Sequence, residues 1–229
     1  MNTDHTANLA RLYSWWASKT DDPATRDERG IISSDFYARA TTLSPNNSTL
    51  WGEWAILLMD ILNQPEAARQ KLEHAIELDP AYSLTLGLMG DYYVQSAHSQ
   101  AEESQKETDL SKAIDYYQQA VKVAKSTENT SKIGYLVSLG NIFVERASRD
   151  PENLDPQLIL VAINFYQEAV KAKPSSNDLY RIEEQISRLF IQLSDKANAL
   201  AHANAALEAA PNDQKESLTA FLAQIQAMP

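Results

Sequence analysis

The sequence predicts an all-α protein built from repeated antiparallel helix pairs, on three observations. Long runs rich in Ala, Leu, Glu, Gln and Lys favour helix, and no run alternates β-branched and polar residues for long enough to suggest a sheet. A short segment recurs as "FYARATTLSP", "LEHAIELDP", "YYQQAVKVAK", "FYQEAVKAKP" and, more weakly, "HANAALEAAP". After each closing segment comes a second pattern, bulky, then bulky beside small, then aromatic or aliphatic.

The recurring segment places Ala40, Ala75, Ala120, Ala169 and Ala206 in equivalent positions, and four copies end in proline five residues later, at Pro45, Pro80, Pro174 and Pro211. Proline cannot continue a helix, so each marks a stop. Seven residues before the alanines stand Ser33, Ala68, Ala113, Ala162 and Ala199. Small residues two turns apart let one helix lie close against another.

The units follow in order. In the first, Tyr13 and Trp16-Ala17 stand as an early copy of the second pattern, and "TDDPATRDERG" (20–30) separates them from the first closing segment. The second carries Trp51, Trp54-Ala55 and Leu58, and the third Leu86, Met89-Gly90 and Tyr93. The fourth has Leu136, Leu139-Gly140 and Phe143, and the fifth Ile186-Ser187 and Phe190. A mid-helix glycine costs about 1 kcal/mol relative to alanine. Gly90 and Gly140 are expected where the partner helix of the same hairpin presses closest, so that packing offsets the cost. The last stretch, "NDQKESLTAFLAQIQA", reads as a further helix with Asn212 and Asp213 as capping residues and Leu218, Leu222 and Ile225 at helical spacing.

On these residues the chain resembles a tetratricopeptide repeat array, whose 34-residue unit is an antiparallel helix pair with this arrangement of large and small positions. The resemblance implies a right-handed α-solenoid of about five repeats, over 7–45, 46–80, 81–125, 131–174 and 175–211, closed by a capping helix at 212–229. The alanine markers lie 35, 45, 49 and 37 residues apart, so the third and fourth units carry extra residues. These fall between the two helices of a hairpin, at 96–109 and 148–157, with 20–30 similar in the first unit. Either loops or extra helical turns fit them. Simple surface lengthening is the favoured reading, and a shared docking ridge the other.

Composition narrows the function. Thirty-one acidic against 20 basic residues give a net charge of −11, which repels a phosphate backbone and argues against nucleic-acid binding. Neutral or basic partners suit this field. Cysteine is absent, which removes disulfides, thiolate catalysis and Cys-ligated zinc while leaving the compartment open. The longest apolar run, Ala55 to Met59, is too short to cross a bilayer, and Met1 to Thr6 does not read as a signal peptide. The start almost directly on a helix and the end at Met228-Pro229 are compatible with a piece of a longer protein.

No catalytic constellation or cofactor motif emerges. His5, His74, His98 and His202 are scattered, lack metal-ligand spacing and read as solvated surface residues. The six glycines are isolated, so no phosphate loop forms, and "DPENLDP" lacks the central glycine and closing glutamate of a calcium loop. Trp15, Trp16, Trp51 and Trp54 could stack on a ligand, but their spacing favours core packing, with Trp15 the most exposed. Asn46, Asn47 and Asn129 lie in glycosylation sequons that matter only in an exported chain.

The resemblance implies a non-catalytic scaffold that binds an extended or helical peptide on the wall built by the first helix of each pair. The groove-facing positions it implies are Arg11, Ser14 and Ser18; Gly52, Ile56 and Met59; Gly87, Asp91 and Val94; Val137, Asn141 and Val144; Glu184 and Arg188. Only Asn141 and Arg188 match the polar set of a carboxylate clamp, so no such clamp is expected. The groove reads as mildly apolar with Asp91 in it, suited to a short apolar segment carrying a basic residue; equally, these residues could simply pack within the chain. Self-association through end faces is a further expectation. Separately, "NLARLYSWWA" with "YARATTLSPNNSTLWGEWA" is similar to the soluble tails of bacterial O-antigen polymerase or ligase-type membrane proteins. That likeness implies an accessory domain of a cell-envelope glycan enzyme whose catalytic residues lie elsewhere.

Overall fold

The structure is a computed structural model that describes residues 2–150 and 153–228. Among these residues it contains eleven α-helices and no strand: α1 (Thr3–Ala17), α2 (Pro23–Leu43), α3 (Ser48–Asp60), α4 (Pro65–Leu78), α5 (Ser83–Ser99), α6 (Glu103–Val123), α7 (Asn129–Ala147), α8 (Pro156–Lys171), α9 (Ser176–Gln192), α10 (Lys196–Ala209) and α11 (Lys215–Ala227). A short 3₁₀ turn, Ser126–Glu128, precedes α7. The helices pair as α1/α2, α3/α4 and α5/α6 in one compact unit, Met1–Val123, and as α7/α8 and α9/α10, with α11 against α10, in a second, Ala124–Pro229.

Local sequence explains most of the boundaries. Asn2, Asp22, Asn47, Asp155, Ser175 and Asp195 each accept a backbone N–H from the first turn of the helix that follows, which satisfies donors that no carbonyl reaches. Pro23, Pro65 and Pro156 open α2, α4 and α8, where a missing N–H costs nothing. Pro45, Pro80, Pro174 and Pro211 each stand just beyond a helix end. Two hairpin turns use a non-glycine residue in the left-handed region, Asn63 (φ 50°) and Ser194 (φ 59°), where the Gln64 and Asp195 N–H groups bond back to the Leu58 and Phe190 carbonyls. The cap of α11 differs from expectation: Asn212 and Asp213 precede the helix, and Gln214 is the N-cap without a side-chain hydrogen bond.

The small positions close the hairpins. All five marker alanines, the four earlier alanines and Ser33 are fully buried. The Ser33 hydroxyl donates to the Ala10 carbonyl at 2.7 Å, and that of Ser187 to the Ala199 carbonyl at 2.8 Å, contacts possible only between closely approaching backbones. Gly90 and Gly140 behave as expected. A Cβ on either would stand 2.6 Å from a ring carbon of Tyr117 or Tyr166, on the partner helix of its own hairpin.

The register of α1 departs from the sequence reading. Ser33 and Tyr37 meet Ala10, so Ala10, two turns before Ala17, is the counterpart of Gly90. An aromatic ladder supports this register. Tyr13 stacks on Phe36, Tyr93 on Tyr116, Phe143 on Phe165 and Phe190 on His202, with centroids 5.5–5.7 Å apart. Each first member lies three residues after a small position and each second member four residues before a marker alanine.

The insertions divide between the two forms. In 20–30 and 96–109 the extra residues mostly lengthen helices, so α2 and α6 have 21 residues against 14 in α4. At about 1.5 Å per residue, that is some 10 Å of additional rod. The longer α6 hairpin is stapled by Asp109, 3 % exposed, which accepts from Ser96 at 2.8 Å and Gln105 at 3.2 Å and lies 3.5 Å from Lys112. The 148–157 insertion is a loop up to Asp155 among its described residues; Pro151 and Glu152, which also fall in "DPENLDP", lie outside them.

Candidate functional site

The residues expected to face a ligand are distributed over both units, and each unit is best taken alone. In the first, Ile56, Met59 and Val94 are half-buried and Asp91 is exposed. Ile56 and Asp91 each follow the small residue that packs against the second helix, Ala55 and Gly90; Met59 and Val94 lie one turn further on, and helical geometry turns all four to one side. Gly52 and Gly87 are buried. The space expected for a ligand backbone at Gly52 is taken by Thr85, whose methyl carbon would lie 3.0 Å from a Cβ there. Ser18 caps the end of α1, its hydroxyl on the Trp15 carbonyl at 2.7 Å, outside the set that the Ala10 register defines.

This α1–α3–α5 face is polar on one side. Arg11 forks onto Glu53, with Nε–Oε2 at 2.9 Å and Nη2–Oε1 at 3.0 Å, and ties α1 to α3. Tyr37 lies beside this pair, its hydroxyl pushed up by burial and by the Glu53 carboxylate. Asp91 accepts the Tyr117 hydroxyl at 2.6 Å. Burial raises the Asp91 carboxyl, the Tyr117 bond opposes the rise, and neighbouring Asp60 adds to it; Asp60 is itself raised by burial. Both side chains reach solvent, yet surrounding protein atoms disfavour their charge.

In the second unit Val137 and Val144 are half-buried and Asn141 is exposed. Asn141 repeats the role of Asp91: its amide oxygen accepts the Tyr166 hydroxyl at 2.6 Å, and burial pushes that phenol up to about 12. Arg188 is engaged within the chain, paired with Glu184 at 2.5 Å and standing 4.5 Å over the Phe221 ring of α11. A cavity of about 360 Å³ opens between α7 and α9, around Ile133, Gly134, Val137 and Ile182. Gly134 and Ile182 are absent from the sequence-derived set; a lone glycine on a helix gives no sign of whether its face is packed or open.

Other expectations need correction. Trp15 is 59 % exposed, as expected, but Trp16 is 45 % exposed rather than core; α1 packs mainly against α2. Trp51 and Trp54 are half-buried, and their indoles donate to the Pro45 carbonyl and the Ser34 hydroxyl. His202 is not a solvated residue: it stacks on Phe190 and lies 2.6 Å from Glu183, which is 7 % exposed. His74 meets the edge of Trp51 at 4.6 Å. Among the described residues no cluster of three or more His, Asp or Glu side chains could hold a metal ion, and no helix is long and apolar enough to cross a membrane.

No protein-family model matches the chain, and no curated protein matches it. Solved structures do. The chain is similar to TTC0263, a thermophilic TPR protein of Thermus thermophilus, at 16 % identity over 97 % of this chain and 100 % of that one, with a TM-score of 0.57. It is similar to MamA at 18 % identity over 83 % and 92 %, with a TM-score of 0.58. The type IV pilus biogenesis factor PilW aligns at 11 % identity over 95 % and 86 %, also at 0.58. At these identities the likeness is one of architecture, and with the buried small positions it leads to one conclusion: the chain folds as a tetratricopeptide repeat array.

Proposed function

We propose that this chain is a non-catalytic protein-interaction scaffold that holds a peptide segment or partner protein against the first helices of its hairpins. The observation that carries this reading is the face of the first unit where half-buried Ile56, Met59 and Val94 accompany exposed Asp60 and Asp91, whose charges the surrounding protein disfavours. Such a face offers apolar contact together with two carboxylates that a cation would stabilise. With a net charge of −11, the field steers basic partners inward and repels acidic polymers. The ligand class that fits is a short apolar segment with a lysine or arginine.

Selection from a displayed library of random peptides about 12 residues long, enough for three helical turns, tests this. Binders should be enriched in Lys or Arg beside Leu, Met or Val, and affinity should fall at least about tenfold, or 1.4 kcal/mol, in an Asp60→Lys, Ile56→Glu double variant that keeps its helical circular dichroism. Binders without basic residues, or undiminished affinity in the variant, would remove this face from the account.

A further inference from the structure

We infer that the cavity between α7 and α9 is a socket for one large aliphatic or aromatic side chain of a bound peptide, with Arg181 at its rim receiving an acidic side chain of the adjacent residue. This rests on the binding reading above and concerns the second unit only, where one rim cation would select a different residue of the ligand from the one that the carboxylates of the first unit select.

Three features converge. The first is a glycine without a packing reason. Gly90 and Gly140 are each pressed by a tyrosine, but a Cβ on Gly134 would meet nothing within 4 Å. A helix that accepts glycine there loses stability for no internal contact, and what it keeps is open space beside Ile133, Val137 and Ile182. The second is the size and lining of that space: about 360 Å³, within the range of small-ligand pockets, floored by aliphatic side chains. The third is the rim. Asp178 lines the same space and acts electrostatically on Arg181, while one of its oxygens accepts the Ser175 hydroxyl at 2.6 Å. Arg181 donates only Nε, to the Tyr180 hydroxyl at 3.2 Å, and makes no ion pair among the described residues, so its terminal nitrogens remain available to a carboxylate. A planar guanidinium beside an apolar floor matches an apolar residue followed by Asp or Glu. A flexible acidic side chain can reach Arg181 while the peptide backbone stays clear of Asp178.

The test is methyl NMR on the full chain, titrated with three capped dipeptides: acetyl-Leu-Glu-amide, acetyl-Leu-Gln-amide and acetyl-Ala-Glu-amide. The first should give saturable shifts at the Ile133, Val137 and Ile182 methyls; the second should bind about fivefold more weakly, as loss of one charge-assisted contact implies; the third should leave those methyls unmoved. Gly134→Leu fills the space with no clash at its Cβ and should abolish the shifts in a folded protein. Arg181→Gln should erase the Glu-over-Gln preference and keep leucine binding. Non-saturating shifts up to the solubility of the probe, or equal shifts in Gly134→Leu, would overturn the socket. Affinity for the library-selected peptides that falls in the Asp60, Ile56 variant but is untouched by Gly134→Leu would leave the binding reading standing and remove only this inference.

Discussion

Replacing Gly90 by alanine should destabilise the first unit, against the ordinary rule for helices. On an uncrowded helix the change gains about 1 kcal/mol. Here the added methyl would lie 2.6, 2.7 and 2.9 Å from three ring carbons of Tyr117. That ring is 2 % exposed and its hydroxyl is anchored on Asp91 at 2.6 Å, so it cannot turn aside freely. Overpacking of this kind costs about 1–3 kcal/mol, and displacing the anchored hydroxyl about 1 more, which leaves a net loss of about 1–3 kcal/mol. The second hairpin supplies the rescue: there the same two positions hold Ala55 and Leu72, both buried in one cluster. A Gly90→Ala, Tyr117→Leu double variant should therefore lose at least about 1 kcal/mol less than the two single variants summed. Urea unfolding followed by tryptophan fluorescence reads this directly, because all four tryptophans, Trp15, Trp16, Trp51 and Trp54, lie in the first unit. A stabilised Gly90→Ala, or strict additivity in the cycle, would refute the idea that the glycine exists for the tyrosine.

Gly134→Ala is the converse case: with open space at its Cβ it should stabilise the second unit by about 0.5–1 kcal/mol, visible as a higher midpoint in urea followed by circular dichroism. Asp91→Asn copies Asn141 and should keep a partner for Tyr117; because the folded-state carboxyl of Asp91 is raised, its ionisation removes stability as pH climbs above the ordinary carboxylate range. The variant should thus lose part of the decline in stability that sets in as pH rises above about 4, measured as unfolding midpoints at stepwise higher pH, and an unchanged pH profile would count against a disfavoured charge at Asp91. Ser33→Ala should cost no more than about 1 kcal/mol, since the four equivalent positions are already alanine and the Ala10 carbonyl keeps its place in α1; a larger loss in thermal melts would mean that the hydroxyl sets the α1/α2 register.

The repeat was legible because its markers are obligatory. Where two helices must touch, only Ala, Ser or Gly fits, and Ala75, Ala120 and Ala169 recur at that place with proline stops nearby. The first unit was harder to place. Ala10 and Ala17 are both small, both buried and two turns apart, so spacing alone could not say which one meets Ser33. The groove residues were read only as positions. Sequence put Asp91 and Asn141 on the ligand side, but the tyrosine partners that occupy them come from 26 and 25 residues away. It put Arg188 there too, without sight of the Glu184 and Phe221 contacts that engage it.

By itself the sequence determined the class of fold, the number of hairpins and the places where helices touch, because periodic size constraints are written locally, one residue per turn or two. Only the tertiary structure decided which half-exposed side chains are already spoken for, how the insertions divide between helix and loop, and that Gly134 borders a void, unlike Gly90 and Gly140, whose crowding the repeat pattern already implied. The physical reason is common to all three: whether space beside a residue is filled depends on atoms contributed from distant segments, and no local pattern encodes what stands opposite.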